Sequence, residues 1–348
     1  MNRTVNNTIP NVDSPKASGT DRNSTFLIVL AMLVYSVLAF GNWLEQSVIL
    51  ITIVVAPITY LLMMYLYYGI AKLAFNKQYL ILGSGIILAM ILGSLIIESS
   101  QMAYVFTGWG VLLSAGYLAG LMTQRGHRSR KVYVFSIMVL IVFVVLNYFS
   151  IWQDLSRSSA ESIQKLLAQV EGQFAIVGGS PESNRMVMEL YHKLLVIVFR
   201  LMPAIVILST AVQFSVGYML FTRWIDKHHL TTPRWEPFIY WQMPFGFIPV
   251  VIVFIAARLI GGDFIQLASD NALAILAVFY SLAGLSLLEF MLRKLRFSNL
   301  MKVLFYIMLF FLPLVNPTSG IIMGAGISLL GFIDSFSDWR KIRLRELT

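Results

Sequence analysis

The sequence predicts an all-α, polytopic transmembrane helical bundle of about ten spans with both termini cytoplasmic. Three observations carry this. The 348 residues are 58% hydrophobic and only 12% charged, about half the ionic content of an ordinary soluble domain. Apolar runs of roughly bilayer length recur along the chain. Lys and Arg fall in every second connection between those runs, the bias that orients membrane proteins.

Residues 1–24 are rich in Asn, Thr, Ser and Asp, a composition that buries too little apolar surface to offset the entropy of ordering. They read as a disordered cytoplasmic tail and not as a signal peptide, because no small-residue cleavage site follows a short apolar core. Five apolar runs come next: Phe26–Phe40, Ser47–Ala71, Tyr79–Ile97, Met102–Met122 and Val132–Ile151. A polar stretch from Gln153 to Glu189 interrupts them. Within it Leu155, Ile163, Leu166, Leu167, Val170 and Phe174 recur near helical spacing before Gly178-Gly179 and Pro181, which predicts an amphipathic outer helix. The later runs are Leu190–Thr222, Phe238–Leu259, Ala272–Leu292, Leu300–Val315 and Thr318–Ile333. The apolar stretch around the first of these, Met186 to Trp224, exceeds a bilayer, so this helix either projects outward, tilts or bends at Pro203.

Charge decides whether the last two short runs are two spans or one kinked helix. Lys72 and Lys77, Arg125 to Lys131, Arg223 to Arg234, Arg293 to Lys302, and Arg340, Lys341, Arg343 and Arg345 occupy alternate connections. The connections at 42–46, 98–101, 261–270 and 313–317 hold no Lys or Arg. The alternation is complete only when both short runs cross. The expected organisation is therefore a tail over 1–24, a bundle of five spans over 25–152, an outer loop over 153–189, a second such bundle over 190–340 and a basic cytoplasmic tail over 341–348.

The chemistry this composition excludes is broad. With no cysteine and four scattered histidines, disulfides, thiolate metal sites and Cys nucleophiles are out. No nucleotide loop, zinc-protease helix or serine elbow occurs, so no enzyme, metal or cofactor is expected. The net charge of +9 belongs to cytoplasmic loops beside lipid and implies no nucleic acid.

Ionisable residues near apolar runs are the better lead, since each is costly in hydrocarbon. The topology places Glu98, Arg200, Arg258 and Asp270 in the outer third, with Gln101, Asn147 and Asn271 at similar depth. Either they form an outward-facing polar pocket in which Arg200 holds an anionic group, or they are interfacial anchors and a structural ion pair. Trp43, Tyr104, Trp109, Tyr148 and Trp152 share that level and read first as an interfacial aromatic belt. Glu289 and Asp334 read as paired anchors beside basic loops. Gly85-Ala89-Gly93, Gly116-Gly120 and Gly320-Gly324 are small-residue faces that let helices approach closely.

The second half resembles the YybS-like family of uncharacterised bacterial membrane proteins. The likeness is carried by Pro233-Arg234-Trp235-Glu236-Pro237-Phe238, by Asn271 with Tyr280, Gly284 and Leu285, and by the closing Gly331 to Arg340. That family is in turn similar to the vitamin-binding subunits of energy-coupling-factor transporters. The resemblance implies a bacterial inner-membrane protein with a small-molecule site on the outer side of its first helices. The chain departs from those subunits in its larger number of spans and in helix one, where Ala31 is followed four residues on by Tyr35. The expected function is binding or transport of a small solute. The alternative is a non-transporting scaffold for envelope machinery that uses its small-residue faces to hold a membrane-protein partner.

Overall fold

The computed structural model describes residues 19–40, 55–96, 102–127, 129, 131–146, 163–164, 167, 181–228, 230, 237–315, 317–337 and 340. Every regular element among them is helical. In order these are α1 (Gly19–Phe40), α2 (Ala56–Phe75), α3 (Tyr79–Ile96), α4 (Met102–Gln124) and α5 (Lys131–Leu146). They continue as α6 (Pro181–Arg200), α7 (Met202–Lys227), α8 (Ile248–Ile260), α9 (Asp263–Lys294), α10 (Asn299–Val315) and α11 (Pro317–Ser337). By length and apolarity α2, α3, α7 and α9 suffice to cross a membrane, and shorter apolar helices accompany them.

The chain folds into two compact units. Unit 1 takes Met1–Ser156 and Val206–Trp235; unit 2 takes Arg157–Ile205 and Glu236–Thr348. Most of α7 therefore belongs with α1–α5, although it follows the 153–189 connection in the chain.

In unit 1, α2 is the central helix, buried from Leu66 to Phe75 at all but one position. Glycine makes that possible. A Cβ on Gly69 would sit 2.8 Å from Ile28 of α1, one on Gly116 3.0 Å from Ile70, and one on Gly217 2.6 Å from the Met64 carbonyl. The Gly116-Gly120 face thus packs on α2 of the same chain, and Gly85 meets Met32 of α1. Two of the loops between these helices close on one device. After α2, Lys77 adopts φ 57° while its N–H donates to Ala74 O and that of Gln78 to Leu73 O, a left-handed cap that returns two otherwise orphaned carbonyls to partners. Gly126 closes α4 in the same way.

Two sequence expectations change here. The helix α1 begins at Gly19, so 19–24 are helical and not part of a disordered tail. Lys72, counted above with the inner loop, is 3% exposed on α2. Its ammonium donates to Ser24 Oγ at 2.8 Å and lies 4.8 Å from the centre of the Trp224 ring, so the early start of α1 is part of how this buried charge is held.

In unit 2, α9 and α11 cross where Gly284 faces Ile327 and Gly331 faces Tyr280, with the Tyr280 and Phe332 rings edge to face at 5.3 Å. The run 238–259, expected as one span, is discontinuous. Short 3₁₀ turns at Phe238–Tyr240 and Phe245–Phe247 precede α8, because Pro237, Pro244 and Pro249 each lack the N–H a continuous helix needs. Non-helical backbone within an apolar bundle must find internal partners. Arg340 supplies them: Nη1 donates to Ile239 O and Nη2 to Trp241 O, at 2.7 and 2.8 Å. Nη1 also bonds Ser286 Oγ, Nη2 pairs with the Asp334 carboxylate, and Ser286 Oγ donates to Phe238 O. Arg340, counted above among the basic residues at the cytoplasmic end, is a buried tether.

Ile163, Gln164 and Leu167 are helical; the rest of the expected amphipathic segment over 155–174 lies outside the described residues.

Candidate functional site

The site grows from a helix break. Pro203 has no N–H, so the carbonyl of Phe199 loses its usual partner and α6 ends at Arg200, with Leu201 in a turn before α7. The long sixth run therefore resolves into two helices, at the proline the sequence marks. In a continuous helix the Ala204 N–H would donate to Arg200 O. Here the Asn271 carboxamide of α9 replaces that bond: Oδ1 accepts from Ala204 N at 2.9 Å, and Nδ2 donates to Arg200 O and to Leu267 O, both at 2.9 Å. An amide offers an acceptor and donors side by side, which is what a broken backbone pair requires.

The residue beside this splint is Asp270, and it gathers the charges. Its Oδ2 lies 2.7 Å from Arg200 Nη2, and its Oδ1 accepts from Arg258 Nε at 2.5 Å. Arg258 reaches it because α8 turns sharply into α9. A Cβ at Gly261 would come within 2.6 Å of Ala257 O, so only glycine allows the turn, and Gln266 Nε2 donates to Gly261 O at 3.1 Å to hold it.

Two guanidinium groups thus share one carboxylate, leaving one formal positive charge. The Asp270 side chain is 16% exposed, whereas those of Arg200 and Arg258 are 44% and 52% exposed. Each guanidinium carries five N–H donors in a planar fork. The part not engaged by Asp270 is suited to a carboxylate or phosphate, which a guanidinium binds with paired hydrogen bonds. Exposed Ile197, Leu259, Ile260 and Phe264 belong to the same helix ends. The structure therefore brings together Arg200, Arg258, Asp270 and Asn271. Glu98, with Gln101 and Asn147, lies outside the described residues.

Other expected residues separate. Glu289 binds Arg293, Lys302 and Tyr306, apart from the Asp334–Arg340 tether. His228 is exposed, with Nδ1 2.8 Å from Trp224 O. Among the described residues no group of His, Asp and Glu is arranged to hold a metal ion. Trp109, read as part of an interfacial aromatic belt, is fully buried, its ring 5.4 Å from that of Tyr35 and edge to face with it. Trp43, Tyr148 and Trp152 lie outside the described residues. The signal for Trp109 was its place seven residues before Gly116, on one helix face.

Helices of this length and apolarity, held by glycine crossings, define a helical membrane protein. The chain belongs to the family described as "Predicted membrane protein (DUF2232)", which matches residues 46–335. No curated protein and no solved structure matches the chain.

Proposed function

We propose that this protein binds a small solute bearing an anionic group, as a step in its uptake or release, at the Arg200–Asp270–Arg258 cluster. The observation that carries the reading is the pair of half-exposed guanidinium groups fixed on a single buried-side carboxylate. A purely structural ion pair needs one cation, and a second leaves donors and charge to spare. The setting is a multi-pass protein of about ten spans in a bacterial inner membrane, with both termini cytoplasmic. Support for that topology is the alternation of basic connections, together with α9: its 32 residues make a rod of about 48 Å at 1.5 Å per residue. The rod is long enough to cross and still carry Asp270 to the outer rim. Kinship with the YybS-like family, and more distantly with energy-coupling-factor subunits, is part of this proposal and rests on the passages quoted above. No catalytic role is assigned to any residue.

The test is mass spectrometry of small molecules released from gently purified wild-type protein and from Arg200→Leu. A stoichiometric anion in the wild type, absent from a variant that is still inserted and folded, is the expected result. An unchanged anion content, or a variant that unfolds while Arg258→Leu retains the anion, assigns Arg200 to structure alone.

The scaffold reading keeps one observation. A Cβ added at Gly324 of α11 meets nothing within 4 Å among the described residues, whereas the Gly116-Gly120 face is already occupied by α2. A stoichiometric protein partner with no released solute favours that reading.

A further inference from the structure

The other end of α9 carries a second cationic cluster, which does not depend on the solute site proposed above. Glu289 Oε1 accepts from Arg293 Nε at 2.7 Å and from Lys302 Nζ at 3.3 Å, and Tyr306 OH donates to Oε2 at 3.0 Å. One carboxylate therefore fixes a cation from the end of α9 and a cation from the start of α10 against the same oxygen. Glu289 is the only acid in the sequence between Asp270 and Asp334, whereas Arg293, Lys294, Arg296 and Lys302 all surround this turn, so positive charge is left over. The Glu289 side chain is 12% exposed and that of Arg293 56%. Among the described residues the Arg293 Nη atoms make no hydrogen bond, and this edge of the guanidinium is open to an anion.

The turn itself presents the remaining charges. Leu295 N–H donates to Met291 O and Phe297 N–H to Leu292 O, and Arg296 takes φ 58°. A left-handed position of this kind is easiest for glycine, yet here it carries an exposed arginine next to exposed Lys294 and Leu295. Apolar surface begins directly beside these charges. Leu300, Leu304, Ile307, Met308 and Phe311 are all exposed and recur at helical spacing, one continuous stripe along α10. Depth comes from α9. Asp270 and Glu289 are 19 positions apart on that helix with no Asp, Glu, Lys, Arg or His between them, a rise of about 28 Å at 1.5 Å per residue. A hydrocarbon core is about 30 Å thick, so a crossing α9 carries the Glu289 cluster at the level of lipid headgroups and the α10 stripe among the acyl chains.

We infer that the α9–α10 turn binds an anionic phospholipid, its headgroup phosphate on Arg293 and its acyl chains along the exposed stripe of α10. The chemistry selects that class. A guanidinium binds phosphate with paired hydrogen bonds, and Lys294 and Arg296 add the charge that favours a headgroup of net negative charge over a zwitterionic one. Glu289 does not oppose it, because its carboxylate is largely covered and already bonded by Arg293, Lys302 and Tyr306. A free anion would use the cations alone and an apolar guest the stripe alone. A charged amphiphile engages both.

The test is native mass spectrometry of the full-length, delipidated protein in mild detergent, offered equal amounts of dioleoyl phosphatidylglycerol and dioleoyl phosphatidylcholine. Wild type is expected to retain the anionic lipid in preference by a factor on the order of ten. Combining Arg293→Gln, Lys294→Gln and Arg296→Asn is expected to cut that preference to less than about a third, whereas Arg200→Leu, at the far end of α9, leaves it in place. Should the triple variant fail to fold, the pair Lys294→Gln and Arg296→Asn, which leaves Glu289 with all its partners, is expected to show at least half of the loss. Hydrogen exchange in the 291–302 segment localises the site: it is expected to slow in bilayers containing phosphatidylglycerol and to be unaffected by that lipid in the folded variant. Equal retention of the two lipids by the wild type overturns the inference. So does an undiminished preference in the folded variants, or its abolition by about 10 mM inorganic phosphate, which would assign the cations to a free anion.

Discussion

Replacing Asn271 with Ala tests the splint across the α6–α7 break, and its cost follows from the geometry. The substitution removes three hydrogen bonds of 2.9 Å. The N–H of Ala204 is left in a site where that residue is 1% exposed, so it takes the upper part of the cost of about 1–3 kcal/mol for a buried unpaired group. The Arg200 carbonyl belongs to a half-exposed residue and recovers some solvation, so about 1 kcal/mol is assigned to it. Leu267 O keeps its helical partner and adds little. The sum is about 3 kcal/mol, to be read by denaturant unfolding in a fixed detergent. The diagnostic comparison is with Pro203→Ala, which restores the missing N–H and lets α6 and α7 join, so that Ala204 returns to Arg200 O. In that background Asn271→Ala should cost less than about 1 kcal/mol, a coupling of about 2 kcal/mol in the double-mutant cycle. A cost below about 0.5 kcal/mol in the wild type, or an equal cost in both backgrounds, refutes the splint.

Further expectations follow from the caps, crossings and tether. Lys77→Gly should stabilise the protein by about 0.5–1 kcal/mol, because φ 57° costs a side chain strain that glycine escapes; a lowered thermal midpoint would contradict this. Gly217→Leu should prevent cooperative folding or cost more than about 3 kcal/mol, since even a Cβ would meet Tyr67 at 2.5 Å, whereas Gly324→Ala faces open space and should lie within about 0.5 kcal/mol of wild type in the same melt. Arg340→Met removes the guanidinium from the Ile239 and Trp241 carbonyls and from the Asp334 carboxylate and should cost about 3–5 kcal/mol; proteolysis in the 238–247 segment should rise with it, and unchanged protection there would remove Arg340 from its tethering role.

The sequence by itself determined the class, the helices and several of their ends. Hydrophobicity and chain punctuation are local properties, so the apolar runs are readable within a few residues, and a bend at Pro203 is one of three ways the sequence leaves for the overlong sixth run; the connection expected over 261–270 is instead helical from Asp263. Arg200, Arg258 and Asp270 stood out in the sequence as ionisable residues in or beside apolar runs, where each is costly, and the structure brings the three together. What only the tertiary structure decided is which side chain meets which. Asn271 and Arg200 are 71 positions apart, and no local pattern marks an amide as the replacement for one backbone bond. Lys72 and Arg340 looked like loop charges because basic residues usually end spans; their burial depends on Ser24, Trp224, Ile239 and Trp241, all distant in sequence. Trp109 looked like a residue for the lipid interface, and the glycine faces on α4 and α7 that draw their helices onto α2 turned it inward. Composition sets the cost of leaving such groups unpaired, and packing alone determines what pairs with them.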